Sequence, residues 1–307
     1  MRIVYMGTPE IAATCLRRLY EDGHDIAAVY TKIDTPKNRG MKLLPSPVKA
    51  FAVSHDLPVI QPTTFKDDAV VAKLAALQPE LICVVAYGKL LPKAVLDIPK
   101  YGCINIHASL LPKLRGAGPI QWSILNGDKE TGVTAMYLSE GMDEGDMIDT
   151  LTTPISDTDT TETLTLRLAD LGAELLSKTV SAIGAGTATR IPQDPEKATY
   201  APMLQKAMAP IDWNRSPREI SCQVRGMIPW PVATMDLSGK PCKVFSVKPL
   251  DKTTDKAPGT PIASTKQGLE MACGGGAVLL VEELQAQGGK RMRAADYLRG
   301  HPIQIDE

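Results

Sequence analysis

The stretch 103-CINIHASLLPKLRGAGP-119 begins as a buried strand and ends as a loop. Where the apolar run closes, it carries an amide and an imidazole, Asn105 and His107, one residue apart. Because alternate residues of a strand face the same way, both side chains are predicted to project from the carboxyl end of that strand. Ligands of open α/β sheets bind at this edge. The alternative interpretation is a buried polar pair that satisfies its own hydrogen bonds.

Three neighbouring features favour a ligand site. Proline restricts the residue before it, so Ser109–Pro112 is predicted to leave the strand as an extended, ordered segment. The glycines and proline of residues 116–119 predict a tight turn into a helix over residues 120–125. The third feature is the loop 140-EGMDEGD-146, in which Asp143 lies between two glycines. This loop is long enough to reach over the same edge.

Asn105, His107 and Asp143 together are the side chains that acyl transfer uses. An amide can donate a hydrogen bond to a developing oxyanion, an imidazole exchanges protons near neutral pH, and a carboxylate orients the imidazole. The chain has no G-x-S-x-G motif and no cysteine placed as a partner for the histidine. Direct attack by the amine of an acceptor is therefore favoured over a covalent enzyme intermediate.

The first half of the chain predicts the sheet to which this strand belongs. Short β-rich runs alternate with helical patterns, which is typical of a doubly wound, mostly parallel α/β sheet of Rossmann-like type. Two extended runs, 131–139 and 147–155, are predicted to pair across the loop, and a long helix follows. Neither G-x-G-x-x-G nor G-x-x-x-x-G-K-[ST] occurs, so a dinucleotide or a P-loop phosphate is not the expected ligand.

A second domain is expected from the length and the later pattern. The chain has 307 residues, about twice the usual length of one domain. Beyond a stretch rich in Gly, Thr, Ala and Pro, short β-like runs alternate with Gly/Pro turns and predict a small all-β barrel or sandwich. The predicted divisions are an α/β catalytic domain over residues 1–188, a linker over 189–207 and the β domain over 208–307.

The composition excludes several classes of protein. With 44% hydrophobic residues, 22% charged residues and a net charge of -1, the chain is typical of a soluble globular protein with no overall attraction to nucleic acid or anionic membrane. No apolar run reaches the roughly 18 residues of a membrane span. The six cysteines form no C-x-x-C pair and the four histidines are scattered, so neither a disulfide framework nor a metal site is expected. We expect a cytoplasmic protein without a metal, a membrane or an obligate protein partner.

The segment 32-KIDTPKNRGMKLLPSPVK-49 is strongly basic although the whole chain is nearly neutral. One interpretation is a solvated, charged loop. A long connector with little secondary structure is often functional, and Arg and Lys suit a phosphate backbone. The candidate contacts to such a backbone are Lys32, Lys37, Arg39, Lys42 and Lys49.

The strings NIHASLLPKLRGAGPIQW and GMDEGD resemble the formyltransferase family, and RGMKLLPSPVK resembles its tRNA-formylating branch. The resemblance covers nearly the whole chain. It implies that Asn105, His107 and Asp143 are catalytic, and that the second domain is OB-like. Leu114 stands where the family usually has an aromatic residue. The resemblance further implies a folate site lined by Ser109, Leu110, Leu111 and Pro112.

The reaction that this resemblance implies is transfer of a formyl group from 10-formyltetrahydrofolate to the α-amino group of methionyl initiator tRNA. The same three catalytic residues could instead formylate an amino sugar nucleotide or a purine precursor, or hydrolyse the formyl-folate. The basic segment discriminates, because a small acceptor gives no reason for a basic arm. An alternative from another class is an RNA-binding protein with an inactive α/β domain, which a folate-dependent turnover assay would separate from an enzyme.

Overall fold

The computed structural model describes residues 1–37 and 42–305, which form two compact units. The first unit contains Met1–Pro119, Thr131–Thr153 and Thr165–Ala201. The second contains Ile120–Glu130, Pro154–Leu164 and the chain from Pro202 onward. The domain divisions expected from the sequence, with a linker over 189–207, stay predictions.

The described residues up to residue 185 alternate strands and helices, as the sequence predicts. The strands are β1 (Arg2–Gly7), β2 (Asp25–Tyr30), β3 (Thr35–Lys37), β4 (Lys42–Leu44), β5 (Val59–Ile60), β6 (Leu81–Val85), β7 (Cys103–His107), β8 (Glu130–Tyr137) and β9 (Met147–Pro154). The helices are α1 (Glu10–Glu21), α2 (Pro47–Ser54), α3 (Asp68–Ala76), α4 (Lys93–Leu96), α5 (Pro119–Leu125) and α6 (Thr161–Ala185).

The main sheet has the order β5-β2-β1-β6-β7-β8-β9. The strands from β5 to β7 pair in parallel, and β7 pairs with β8 antiparallel. All five residues of β6, LICVV, are buried, which is expected of a parallel strand covered on both faces. The mostly parallel, Rossmann-like sheet predicted from the sequence is confirmed, with β8 and β9 as the two extended runs on either side of the 140–146 loop.

Helix α6 packs closely on one face of β7. A β-carbon at Gly172 would lie 3.2 Å from the side chain of Ile106, so the glycine allows a short distance between helix and strand. Ile106 lies between Asn105 and His107 in sequence and therefore faces the other way. The helix thus covers the apolar face of β7 and leaves the opposite face for the polar pair.

The basic segment contains a short antiparallel ladder that the sequence did not reveal. Strands β3 and β4 pair, with Thr35 opposite Leu44 and Lys37 opposite Lys42. Three-residue strands are too short to show the alternation by which strands are recognised. The segment was predicted to have little secondary structure, and that prediction is wrong at these two strands.

The second unit contains an antiparallel sheet of order β10-β11-β14-β13-β12, with β15 paired to β14. This sheet confirms the prediction that the second part of the chain is rich in β-strands. Its elements are α7 (Pro217–Gly226), β10 (Thr234–Leu237), β11 (Lys240–Thr253), β12 (Pro261–Ser264), β13 (Leu269–Ala272), β14 (Ala277–Ala286), β15 (Met292–Arg293) and α8 (Ala294–Gly300).

Helix α7 was not predicted, although the sequence carries its start signal. Ser216 accepts a hydrogen bond from the backbone N–H of Glu219, whose side chain accepts one from the backbone N–H of Ser216. This capping box, with Pro217 at the first helical position, stabilises the helix start. The buried side chains of Ile220 and Val224 then pack into the apolar core of the unit.

Candidate active site

Strand β7 carries Asn105 and His107 to the carboxyl end of the parallel strands. Asn105 is opposite Val84 of β6, and His107 is opposite Thr134 of β8. Cys103, on the same face, belongs to an apolar cluster, so this face turns polar as the strand ends. Asn105 is half-buried. Within residues 1–37 and 42–305 its carboxamide has no hydrogen-bond partner, which leaves its N–H groups for a ligand.

His107 lies between a carbonyl and a carboxylate. Its Nε2 is 2.9 Å from the carbonyl oxygen of Leu114, and its Nδ1 is 3.6 Å from Oδ2 of Asp143. A carbonyl can only accept, so Nε2 carries the hydrogen and donates it. In the neutral ring Nδ1 therefore carries no hydrogen, and it faces the Asp143 carboxylate. The side chain is only 6% exposed.

Asp143 is held in place by the backbone around it. The N–H of Gly116 donates to Oδ2 over 2.8 Å. Asp143 itself has a φ of 52°, a left-handed conformation that is uncommon for a residue with a side chain. Gly145 must be glycine, since a β-carbon there would lie 1.9 Å from the carbonyl oxygen of Tyr137. At Gly145 the loop that carries Asp143 thus packs tightly on the end of β8.

The predicted folate segment is anchored by one threonine. The buried hydroxyl of Thr134 donates to the carbonyl of Ser109 over 2.6 Å and accepts from the N–H of Leu111 over 3.2 Å. Ser109 and Leu111 are buried, whereas Leu110 and Pro112 are half-buried. The Ser109 hydroxyl donates to the carbonyl of Lys113 over 2.6 Å. The half-buried Leu110 and Pro112 are therefore the members of this segment that a ligand can reach.

Two of the five basic residues predicted to bind RNA have described side chains. The ammonium group of Lys49 bonds Oδ2 of Asp34 over 2.6 Å and Oε1 of Gln61 over 2.9 Å. Hydrogen bonds from Lys49 and then Gln61 lower the pKa of Asp34. Lys49 thus fixes the base of the basic segment. The others are Lys37 and Lys42, whose backbones pair across the short ladder, and Arg39, which lies outside the described residues.

Lys32 is exposed and lies close to a second lysine that the sequence did not single out. Its ammonium group is beside Gly88, and burial, followed by the charge of Lys32, lowers the pKa of Lys89. Lys89 donates to the backbone carbonyls of Pro62 and Thr63. Lys32 and Lys89 therefore place two positive charges close together near the carboxyl ends of β2 and β6.

Sequence reasoning also missed two residues that support the site. Arg115 is 5% exposed, and its guanidinium donates to the side chain of Gln193. Gln193 in turn donates to the backbone of the loop that carries Asp143. A charged residue inside KLRGAG was a weak signal for Arg115. Gln193 lies 50 positions from Asp143 in a stretch without periodicity, and no sequence signal identified it.

The described part of the chain offers neither a candidate metal centre nor a candidate membrane-spanning helix. No set of three or more His, Cys, Asp or Glu side chains there converges as metal ligands do. No helix there combines the length and the hydropathy that a membrane-spanning helix needs.

Comparison with known proteins identifies the family. The formyl transferase model matches residues 1–180, and the model of the formyl transferase C-terminal domain matches residues 203–302. The chain is 47% identical over 303 residues to the methionyl-tRNA formyltransferase of Geotalea uraniireducens, a match that covers 99% of this chain and 96% of the relative. The chain belongs to the methionyl-tRNA formyltransferase family. Another relative with this name, from Bacillus subtilis, is 46% identical over 306 residues, with 100% and 96% covered.

Solved structures with the same fold extend beyond this family. An N-formyltransferase of Helicobacter canadensis, solved in complex with folinic acid and dTDP-3-aminofucose, matches with a TM-score of 0.69. The two chains are 18% identical, and the match covers 91% of this chain and 98% of the other. At this identity the likeness concerns the fold, and it agrees with the formyltransferase fold expected from the sequence.

Proposed function

We propose that this chain transfers the formyl group of 10-formyltetrahydrofolate to the α-amino group of methionyl initiator tRNA. The observation that carries the proposal is the meeting of Nδ1 of His107 with Oδ2 of Asp143, 3.6 Å apart, on the strand edge that also carries Asn105. The similarity to methionyl-tRNA formyltransferases along nearly the whole chain supports methionyl-tRNA as the acceptor.

The proposed step needs one oxyanion donor and one proton carrier. The amine lone pair attacks the formyl carbon, and the Asn105 carboxamide donates a hydrogen bond to the oxyanion that forms. The attacking nitrogen gives a proton to Nδ1 of His107, and Asp143 stabilises the resulting imidazolium. As the tetrahedral carbon collapses, its bond to N10 of the folate breaks and N10 takes the proton. The histidine ends the cycle as it began.

The two substrates are assigned to different parts of the first unit. The half-buried Leu110 and Pro112 contact the folate, with the buried Ser109 and Leu111 fixing the course of the segment. The basic segment, with Lys32, Lys37, Arg39 and Lys42, meets phosphates of the acceptor stem. The cytoplasmic location and the absence of a metal and of an obligate protein partner stay predictions of the sequence.

A second candidate function is formylation of an amino sugar nucleotide. The observation in its favour is the fold shared with the N-formyltransferase solved with dTDP-3-aminofucose. The oxyanion donor and the proton carrier would work in the same way on a sugar amine. A sugar nucleotide offers a single diphosphate, which is less than a segment with five Lys and Arg residues can pair with, so we prefer a tRNA acceptor.

The deciding experiment offers one formyl donor to several acceptors. The protein is incubated with 10-formyltetrahydrofolate labelled in the formyl group and with methionyl initiator tRNA, free methionine or an amino sugar nucleotide. We expect label on the charged tRNA, at a rate about 10² or more lower with an Asp143→Ala variant as control. Label on the sugar nucleotide alone would support the second candidate. Release of formate without any acceptor would make the protein a hydrolase.

A further inference from the structure

Gln193 connects the loop that carries Asp143 to a buried arginine. Its Nε2 donates to the backbone carbonyls of Asp143 and Gly145, each at a distance of 2.8 Å. Its Oε1 accepts from Nε and Nη2 of Arg115, over 3.1 and 2.8 Å. A guanidinium only donates and a carbonyl only accepts, so the amide fits in one orientation, with both donors and both acceptor sites used. Gln193 ends a segment, residues 190–193, that we call the strap.

The strap holds the same loop at two further points. The guanidinium of Arg190 lies 3.6 Å from the ring centroid of Tyr137 and 3.5 Å from Oδ2 of Asp146. Ile191 and Met147 exchange backbone hydrogen bonds of 2.9 Å. Tyr137 and Met147 are the residues at which β8 ends and β9 begins. Arg190 and Ile191 of the strap therefore fix the loop at its base, and Gln193 fixes it around Asp143.

The loop needs such support, because its conformation is unfavourable in isolation. Asp143 has a left-handed φ of 52°, which costs free energy for a residue with a β-carbon. The 3.6 Å between its carboxylate and Nδ1 of His107 is already longer than a hydrogen bond. A small outward shift of the loop would therefore separate the two groups.

We propose that Gln193 is a positioning residue for the His107–Asp143 pair. It acts through the loop backbone, by keeping the Asp143 carboxylate beside Nδ1 of His107, and Arg115 keeps the Gln193 amide turned the right way. The inference rests on the proposed function, in which this pair handles the proton.

Two substitutions separate the parts of this arrangement. Gln193→Glu keeps the size of the side chain and its contact with Arg115 but replaces the donor with an oxygen facing two carbonyl oxygens. Gln193→Met removes all four hydrogen bonds without adding a charge. Asp194→Ala is the matched control, because Asp194 is the next residue and, among the described residues, its carboxylate bonds only the following turn, at the N–H of Glu196 and the ammonium of Lys197.

The kinetic test is a double-mutant cycle with Asp143→Asn. We expect each Gln193 variant to lower kcat by on the order of 10- to 100-fold, since a misplacement of about 1 Å can cost about 10²-fold. The KM for formyl-folate should change far less. In the Asp143→Asn background the same Gln193 variants should cause almost no further loss, because residues that act through one another are not additive. Losses that multiply, or an unchanged kcat in the single variants, would show that Gln193 does not act through Asp143.

A second measurement reads the geometry without any turnover. In protein labelled with ¹⁵N-histidine, the Nδ1 signal of His107 should move in the Gln193→Glu and Gln193→Met variants in the direction in which Asp143→Asn moves it. Asp194→Ala should leave the signal in place. If the wild type formylates no acceptor, the proposed function fails, yet this comparison still decides the positioning role. An unmoved signal, or unfolding of both Gln193 variants, would overturn the inference.

Discussion

At the scale of single residues, the chemistry of the site depends on which polar atoms already have a hydrogen-bond partner within the protein. Nε2 of His107 donates to the Leu114 carbonyl, so only Nδ1 remains for proton transfer. The Asn105 carboxamide, in contrast, has no partner among the described residues. Leu114, where the family usually has an aromatic residue, contributes through its backbone. This explains how the side chain there can differ without changing the orientation of the histidine.

Substitutions of Asn105 and His107 are therefore expected to lower kcat by similar factors but to change the free energy of unfolding by different amounts. Asn105→Ala should lower kcat by about 10² or more, through loss of the oxyanion donor, with less than about 1 kcal/mol lost in the free energy of unfolding. His107→Ala should lower kcat by about 10² or more and also destabilise the fold by about 1 to 3 kcal/mol, because the Leu114 carbonyl loses its donor. Single-turnover formylation and urea titration measure the two effects.

The outcome for His107 also tests the simplest alternative. If His107→Ala destabilises the protein while the folded fraction keeps the full rate, the histidine is a buried polar group without a catalytic role. The kcat of Asp143→Ala should be lowered by a factor similar to those of Asn105→Ala and His107→Ala.

At the scale of elements, the sequence predicted the strands and helices that show a periodic residue pattern, and it missed the elements and contacts that show none. The parallel neighbours of β7 are nearly continuous apolar runs, and the order of the strands along the chain placed Asn105 and His107 at the ligand edge. The short ladder β3–β4 shows too few residues for a pattern. Helix α7 begins with a capping box, but its ten residues stand among β-like runs whose pattern dominates this part of the sequence. The contacts of Gln193 depend on tertiary packing, which no local pattern encodes.

The hydroxyl of Thr134 is predicted to hold the folate segment in its course. Thr134→Val keeps the shape but leaves the buried carbonyl of Ser109 and the N–H of Leu111 without their partner, at a cost of about 1 to 3 kcal/mol per group. We expect a lower free energy of unfolding and weaker binding of a folate analogue. Thr134→Ser is the control, since it retains the hydroxyl and should restore most of the affinity. Equal folate affinity in Thr134→Val and wild type would argue against this segment as part of the folate site.

The basic segment is predicted to contribute to tRNA binding through its charge. If Arg39 and Lys42 meet phosphates, Arg39→Ala/Lys42→Ala should flatten the plot of log affinity against log salt by roughly 0.7 to 0.9 per lost contact. Folate affinity should not change. Lys178→Ala/Lys73→Ala, on α6 and α3, removes the same charge elsewhere and should leave the slope as it is. An unchanged slope and an unchanged single-turnover rate in the first variant would instead favour a small acceptor.

At the scale of the whole molecule, both units keep their thiols inside. Cys15, Cys83 and Cys103 are buried in the first unit, and the second unit buries three more. Burial raises the pKa of Cys15 and Cys103 to about 12. A raised pKa keeps a thiol protonated at neutral pH, and the protonated form is not a nucleophile. This agrees with direct attack by the acceptor amine, because a covalent route would need an activated thiol or hydroxyl.

The thiols of the folded protein are accordingly expected to resist alkylation. At about pH 8, a thiol with a pKa near 12, as for Cys15 and Cys103, holds roughly 10³ times less thiolate than a free cysteine, and burial restricts the access of reagents to all six thiols. Iodoacetamide should therefore add no mass to the native chain during the time in which the guanidinium-unfolded chain gains adducts on all six cysteines. Wild type with bound folate analogue is the control for slow opening, since the ligand stabilises only the folded state. Rapid alkylation of one cysteine that folate does not slow, accompanied by loss of formyl transfer, would identify an activated thiol and would require the direct-attack mechanism to be replaced by a covalent one.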